Sequence, residues 1–151
     1  MRRERATRMS KPFAWLACVF VMAFAQTTVA TCTLGVTDVT FGDYDIFESL
    51  DTAITGSVSV SCDSDTTLQV TLGAGNGTFA ARQMQNGTST LLYNLFLDPA
   101  HLTLWGDGSP GTSLLGLSGS GGTYTIYGRI PARQNVPAGL YTDTIVVSLT
   151  F

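Results

Sequence analysis

His101 is the single histidine of the chain, and outside residues 1–30 the only thiols are Cys32 and Cys62, which are expected to pair with each other. A nucleophile–base pair or a metal centre needs at least two such groups converging, so His101 is expected at an exposed strand end. Asp43/Asp45 and Asp63/Asp65 are D-x-D pairs whose oxygens could suit calcium. They lack the spacing of a calcium loop and its closing glutamate, and are expected to be solvated turns. The Asn-Gly-Thr triplets starting at Asn76 and Asn86 match the glycosylation sequon, but Asn-Gly is also a hairpin turn dipeptide, and the turn is the better account. A sugar- or metal-binding module would rest on Trp105, Tyr124, Tyr127 and the acidic pairs alone. No catalytic constellation, metal site or cofactor site emerges, and an enzyme is not expected.

The start of the sequence sets the compartment. Arg2, Arg3, Arg5, Arg8 and Lys11 precede an uncharged run from Pro12 to Ala25, and small residues stand at Thr28 and Ala30. This is the pattern of a secretory signal peptide over residues 1–30, with cleavage after Ala30. A spanning helix needs about 20 apolar residues, so no membrane insertion is expected once the leader is gone. Residues 31–151 then form one domain with three arginines against ten carboxylates, a formal charge of −7. A lysine-free acidic surface of this kind argues against nucleic acid as a partner. Cys32 and Cys62 are the two cysteines left, and in an exported chain they are expected to pair as one disulfide.

The elements around these residues are strands. Tyr141 to Phe151 alternates strictly: Ile145, Val147, Leu149 and Phe151 point one way, mostly hydroxyl residues the other. Loose alternation covers Cys32 to Phe41, and V-S-V-S-C closes a strand over Ala53 to Cys62. The polar D-S-D-T separates that strand from T-L-Q-V-T-L. Further strands are expected at Phe79–Met84, Leu91–Leu97 and Thr123–Ile130, with a brief extended piece at Leu102–Trp105. Ser109 to Gly122 is rich in glycine and serine and is expected to be a loop. Leu114, Leu115 and Leu117 are out of place there, either plugging the end of the fold or forming an exposed apolar contact. About seven or eight short strands without a helix after the leader indicate an all-β antiparallel sandwich.

The residues also resemble a known family. Cys32 with Phe41-Gly42-Asp43-Tyr44, V-S-V-S-C ending at Cys62, L-Y-N-L-F-L-D at 92–98 and W-G-D-G at 105–108 stand in one order. Y-G-R-I-P-A-R-Q at 127–134 and the closing G-L-Y-T-D-T-I-V-V-S-L-T-F complete it. Together they are similar to the spore coat protein U domain, shared by secreted spore-coat proteins and pilins of the archaic chaperone–usher pathway.

That resemblance implies an immunoglobulin-like sandwich that is incomplete, lacking its final strand. Ile145, Val147, Leu149 and Phe151 would then line an open groove, filled first by a periplasmic chaperone and then by a strand of another pilin or coat subunit. An outer-membrane usher would be the second assembly partner, and the destination the cell surface or a coat. The alternative is a free-standing secreted coat or matrix protein with a self-completed fold. Pilins of this type carry a donor segment before the first cysteine. Cleavage after Ala30 leaves only Thr31 there, which favours an accepting, terminal or coat role over a repeating shaft subunit. N-terminal sequencing of exported protein should therefore begin at Thr31, within about two residues; a start near Trp15 would instead restore a segment of donor length.

Overall fold

The computed structural model describes residues 30–151. The expected leader lies outside the described residues except for Ala30. Six strands follow: β1 (Cys32–Thr37), β2 (Thr52–Leu72), β3 (Arg82–Asn86), β4 (Ser89–Phe96), β5 (Leu115–Ile130) and β6 (Val147–Thr150). There is no helix among the described residues. All pairings are antiparallel, in the order β1-β2-β5-β4-β3, with β6 added on the C-terminal half of β2. β4 turns from one layer to the other: its first half pairs with β3, and Asn94 to Phe96 pair with β5. The result is a curled, all-β antiparallel sheet whose concave side is the core.

Two stretches expected as breaks are strand. D-S-D-T does not end the strand that begins at Thr52; β2 runs on through it to Leu72. Its pairing with β5 slips between Ser61 and Thr66, where the four residues from Cys62 to Asp65 stand opposite Ser120 alone. Such a bulge absorbs polar residues without breaking the ladder, and bends the strand. The second correction concerns Ser109 to Gly122, which is loop only as far as Leu114; from Leu115 it is β5. Gly121 takes φ 109°, and a Cβ there would strike the carbonyl of Val60 on β2. Only glycine fits that approach. Inward-facing positions are odd-numbered before the glycines (Leu115, Leu117) and even-numbered after them (Ile126, Ile130). A strand whose parity flips midway shows no alternation in sequence.

Two further boundaries move. Thr78 and Ala81 exchange both backbone hydrogen bonds, so Phe79 and Ala80 form a tight turn and β3 starts only at Arg82. The expected long final strand is divided: Thr142 exchanges both backbone bonds with Gln85 of β3, and only Val147–Thr150 pairs as β6 with β2. Phe151 lies past β6 and is 55% exposed, which corrects the expectation of a core-facing side chain.

Apolar residues at alternate positions of the long strands supply the core. Val58, Leu68, Val70 and Leu72 of β2 are wholly buried, facing Ile126 and Ile130 of β5 and Leu91, Tyr93 and Leu95 of β4. Trp105 is also wholly buried, and its indole N–H donates to the Val70 carbonyl at 3.1 Å. Beside it Arg82 is fully buried, and among the described residues it lies in no ion pair. Its guanidinium donates to Gly73 O, Trp105 O and Asn94 Oδ1 at 2.7–3.0 Å, and it lies over the Phe79 ring. One cation thus satisfies carbonyls from two loops and fixes β3 to β4.

Cys32 and Cys62 are directly opposed in the β1–β2 register and form the disulfide. At a sequence separation of 30, the bridge should contribute roughly 3 to 4 kcal/mol through chain entropy. Denaturant titration with and without reductant should differ by that amount, and alkylation of unreduced protein should find neither thiol. Arg82→Ala should lower stability by about 3 kcal/mol or more, since several buried acceptors lose their donor; a thermal midpoint within a degree or two of wild type would contradict this role.

Candidate functional site

Between the two borders of the curled sheet lies an open cleft of about 1030 Å³. One wall is β1's end and its continuation, Val36 to Ile46; the other is Val136 to Val147. The floor is apolar: Leu91, Tyr93 and Leu95 of β4, Ile126 and Ile130 of β5, and Leu72 of β2. Among the described residues no backbone hydrogen bond joins the two walls. Both walls therefore present strand-like backbone without a strand between them.

The first wall is shaped by Gly42, at φ 72°, a conformation glycine adopts without steric cost. The alternation slips by one there. Val39 and Phe41 before it, and Tyr44 and Ile46 after it, are half-buried, while Asp38, Thr40, Asp43 and Asp45 are exposed. Val39 and Phe41 lie across β5 at Gly128, where a Cβ would come within 2.8 Å of the Phe41 ring and 3.0 Å of Val39. Tyr44 anchors the wall further along: its hydroxyl donates to Pro131 O at 2.9 Å and accepts from Gln134 N at 2.7 Å. The Gln134 carboxamide in turn accepts from Leu92 N and donates to Leu92 O, at 2.8 and 2.7 Å, standing in for a neighbouring strand beyond the end of β5.

The second wall is held chiefly by Asp143. Its carboxylate accepts from Tyr93 Oη at 2.8 Å, from Asn76 N at 3.1 Å and from Thr144 N at 2.8 Å. Tyr93 also meets the opposite wall, its ring edge-on to Phe41 at 5.8 Å between centroids. This one side chain touches both walls. Burial pushes the Tyr93 phenol well above its ordinary range, reinforced by the hydrogen bond to Asp143 and its charge. The same burial draws Arg82 downward, opposed by the nearby Tyr93 and Asp143.

Such a cleft offers backbone hydrogen-bonding edges and an apolar floor, and that suits an extended segment of chain rather than a reacting small molecule. The model described as the Spore Coat Protein U domain matches residues 18–148. The chain belongs to the spore coat protein U domain family. Protein U of Myxococcus xanthus is 43% identical over 107 residues, spanning 64% of this chain and 59% of that protein. The fold is shared with a chain in the crystal structure of a chaperone–tip adhesion subunit pre-assembly complex from the archaic chaperone–usher Csu pili of Acinetobacter baumannii. That match has a TM-score of 0.61 at 24% identity, over 83% of this chain and 40% of that one. This neighbour makes the sandwich immunoglobulin-like.

In this spore coat protein U domain the residues singled out from sequence part company. Ile145 and Val147 line the cleft. Leu149 packs, half-buried, on the core below β6, and Phe151 stands outside. Leu115 and Leu117 are half-buried on β5 against the core, so they lie in strand rather than loop, and Leu114, the last loop residue, closes over Gly108. Trp105 is too deeply buried to meet a sugar. His101 is partly exposed with its ring on Phe96. Among the described residues no three His, Cys, Asp or Glu side chains cluster as a metal site. Sequence reasoning missed the floor and the whole first wall, although Leu91, Tyr93 and Leu95 were legible as one face of a strand.

Tyr93→Phe tests the tie between the walls. It should cost about 1 to 2 kcal/mol at neutral pH, leaving an Asp143 oxygen without its donor. Because the folded pKa of Tyr93 is raised, its contribution is complete below the unfolded value and is lost as pH rises beyond about 10. Urea titrations at neutral and alkaline pH should show wild type losing more stability on the alkaline side than Tyr93→Phe.

Proposed function

We propose that the chain is a non-enzymatic, exported structural or adhesive subunit of a surface fibre or coat, whose cleft accepts an extended strand from a partner. The observation that carries this reading is the apolar-floored cleft between two walls that make no backbone bonds to each other. An open edge of that kind is an aggregation template unless covered, and a strand added there gains backbone hydrogen bonds while its alternate side chains fill pockets. Family membership supports a structural rather than catalytic role, and the fold neighbour comes from a complex with an assembly chaperone. In this reading residues 1–30 are the signal peptide and 31–151 the mature domain. A periplasmic chaperone fills the groove in transit, an outer-membrane usher receives the complex, and another pilin or coat subunit replaces the chaperone at the surface.

A coat or matrix protein that acts without an usher is the second reading. It is favoured by the 43% identity to Protein U, the highest identity among the relatives described above. The two differ in what recovers from the native surface: a fibre of repeating subunits in the first case, dispersed monomer or irregular matrix in the second.

The strand-accepting reading makes a direct demand on the mature chain. Fusing a strand of alternating apolar residues after Phe151, through a short linker, should raise monomer yield and thermal midpoint by supplying the missing neighbour in cis. A mature chain that already melts cooperatively as a monomer and gains nothing from the fusion would overturn this reading. Val147→Asp should cost several kcal/mol, by placing a carboxylate beside Leu72 on the apolar floor, against a total of about 5 to 15. Ser148→Asp, one residue along on the exposed face, should stay within about 0.5 kcal/mol of wild type.

A further inference from the structure

We propose that the strand the cleft accepts is basic as well as apolar, its Lys or Arg side chains lying along the Val36–Ile46 wall. This rests on the strand-accepting reading above and adds a selectivity to it. The titratable residues on the cleft's lining, tyrosines aside, are all acidic: Asp38, Asp43 and Asp45 on the first wall and Asp143 on the second. Asp143 is already engaged by Tyr93, Asn76 and Thr144. The other three are exposed, and the slip at Gly42 keeps all of them on the outer side of the wall while Val39, Phe41, Tyr44 and Ile46 turn inward. Asp45 accepts one hydrogen bond, from Phe47 N in its own turn. Among the described residues none of the three lies in an ion pair, the one such contact being Arg129 with Asp51.

The chain has little positive charge of its own to answer them. Of the three arginines in residues 31–151, Arg82 is wholly buried and Arg129 is beside Asp51; Arg133 alone remains. An incoming strand thus meets an apolar floor through its inward side chains and a row of three carboxylates through its outward ones. Charges of matching sign on the strand would repel along the full wall, whereas Lys or Arg would pair. Rim charges of this sort set encounter rate and partner choice more than they add raw affinity. A neutral apolar strand would still bind, and an acidic one would be turned away.

Three synthetic 12-residue peptides test this against the mature chain, refolded with each peptide present. All carry the same inward apolar residues, with outward positions Lys, Ser or Glu. At low salt the Lys peptide should bind about tenfold or more tighter than the Glu peptide, with Ser between. Near 0.5 M salt the spread should shrink to about twofold, since screening then acts over only a few ångströms. Asp38→Asn/Asp43→Asn/Asp45→Asn should abolish the preference while keeping the Ser peptide's affinity, because all three side chains are exposed and Asn can still accept from Phe47 N. Equal binding of all three peptides by wild type would overturn the charge selectivity and leave the strand-accepting reading standing. Failure of every peptide, Ser included, would overturn both.

Discussion

A curled antiparallel sheet that does not close on itself has two borders, and every other strand-like backbone group on each of them lacks a partner. Here the borders are Val36–Ile46 and Val136–Val147, and most of the molecule's less regular features are ways of living with them. The sheet behind is ordinary: long strands, alternate apolar residues, and a disulfide between directly facing positions of β1 and β2. What is particular is that the borders are held apart at a fixed distance without a strand between them. Backbone pairing fastens the second border at Thr142 and from Val146 into β6, and side chains do the rest. Tyr93 and Asp143 hold the second border to the floor, Tyr44 and Gln134 hold the first to the end of β5, and Gly128 leaves the notch in which Val39 and Phe41 rest.

The buried guanidinium of Arg82 belongs to the same economy of fixed distances. Its acceptors are neutral: two loop carbonyls and the Asn94 side chain. An apolar residue would fill the volume but leave those oxygens unsatisfied, at about 1 to 3 kcal/mol each. Asp143, whose carboxylate accepts from the Tyr93 hydroxyl on the cleft wall, opposes the effect of burial on this cation.

Much of this was legible in the residues, and the exceptions have physical causes. Ile145, Val147 and the face Leu91–Tyr93–Leu95 follow a period of two, so strand and burial could be read directly. The disulfide followed from the two cysteines that remain if residues 1–30 are a secretory leader. By contrast, the first wall is hidden by Gly42, because a slip of one residue makes F-G-D-Y-D-I look like a polar break. The first half of β5 is hidden by Gly121 and its neighbours in the same manner, and D-S-D-T is carried by a bulge rather than a turn. The long final strand is divided for the opposite reason: its alternation continues to Phe151, yet Thr142 pairs with β3 and Val147 with β2, and the chain crosses between them. Periodicity reports which face a residue shows, not which neighbour it shows it to.

The β1 terminus carries one more consequence. The amide of Thr31 donates to Asp63 Oδ1 at 3.0 Å, beside the disulfide, and the Thr31 carbonyl accepts from Asp63 N at 3.1 Å. That amide holds the exposed Asp63 carboxyl below its ordinary range. Cleavage after Ala30, as proposed, would turn this peptide nitrogen into a primary ammonium without moving it. A neutral donor would become a cation facing a carboxylate, and a covalent event at the membrane would be written into the folded domain as a change of charge at its first strand. Removal of the leader would then do more than release the chain: it would fasten the new end of β1 in place.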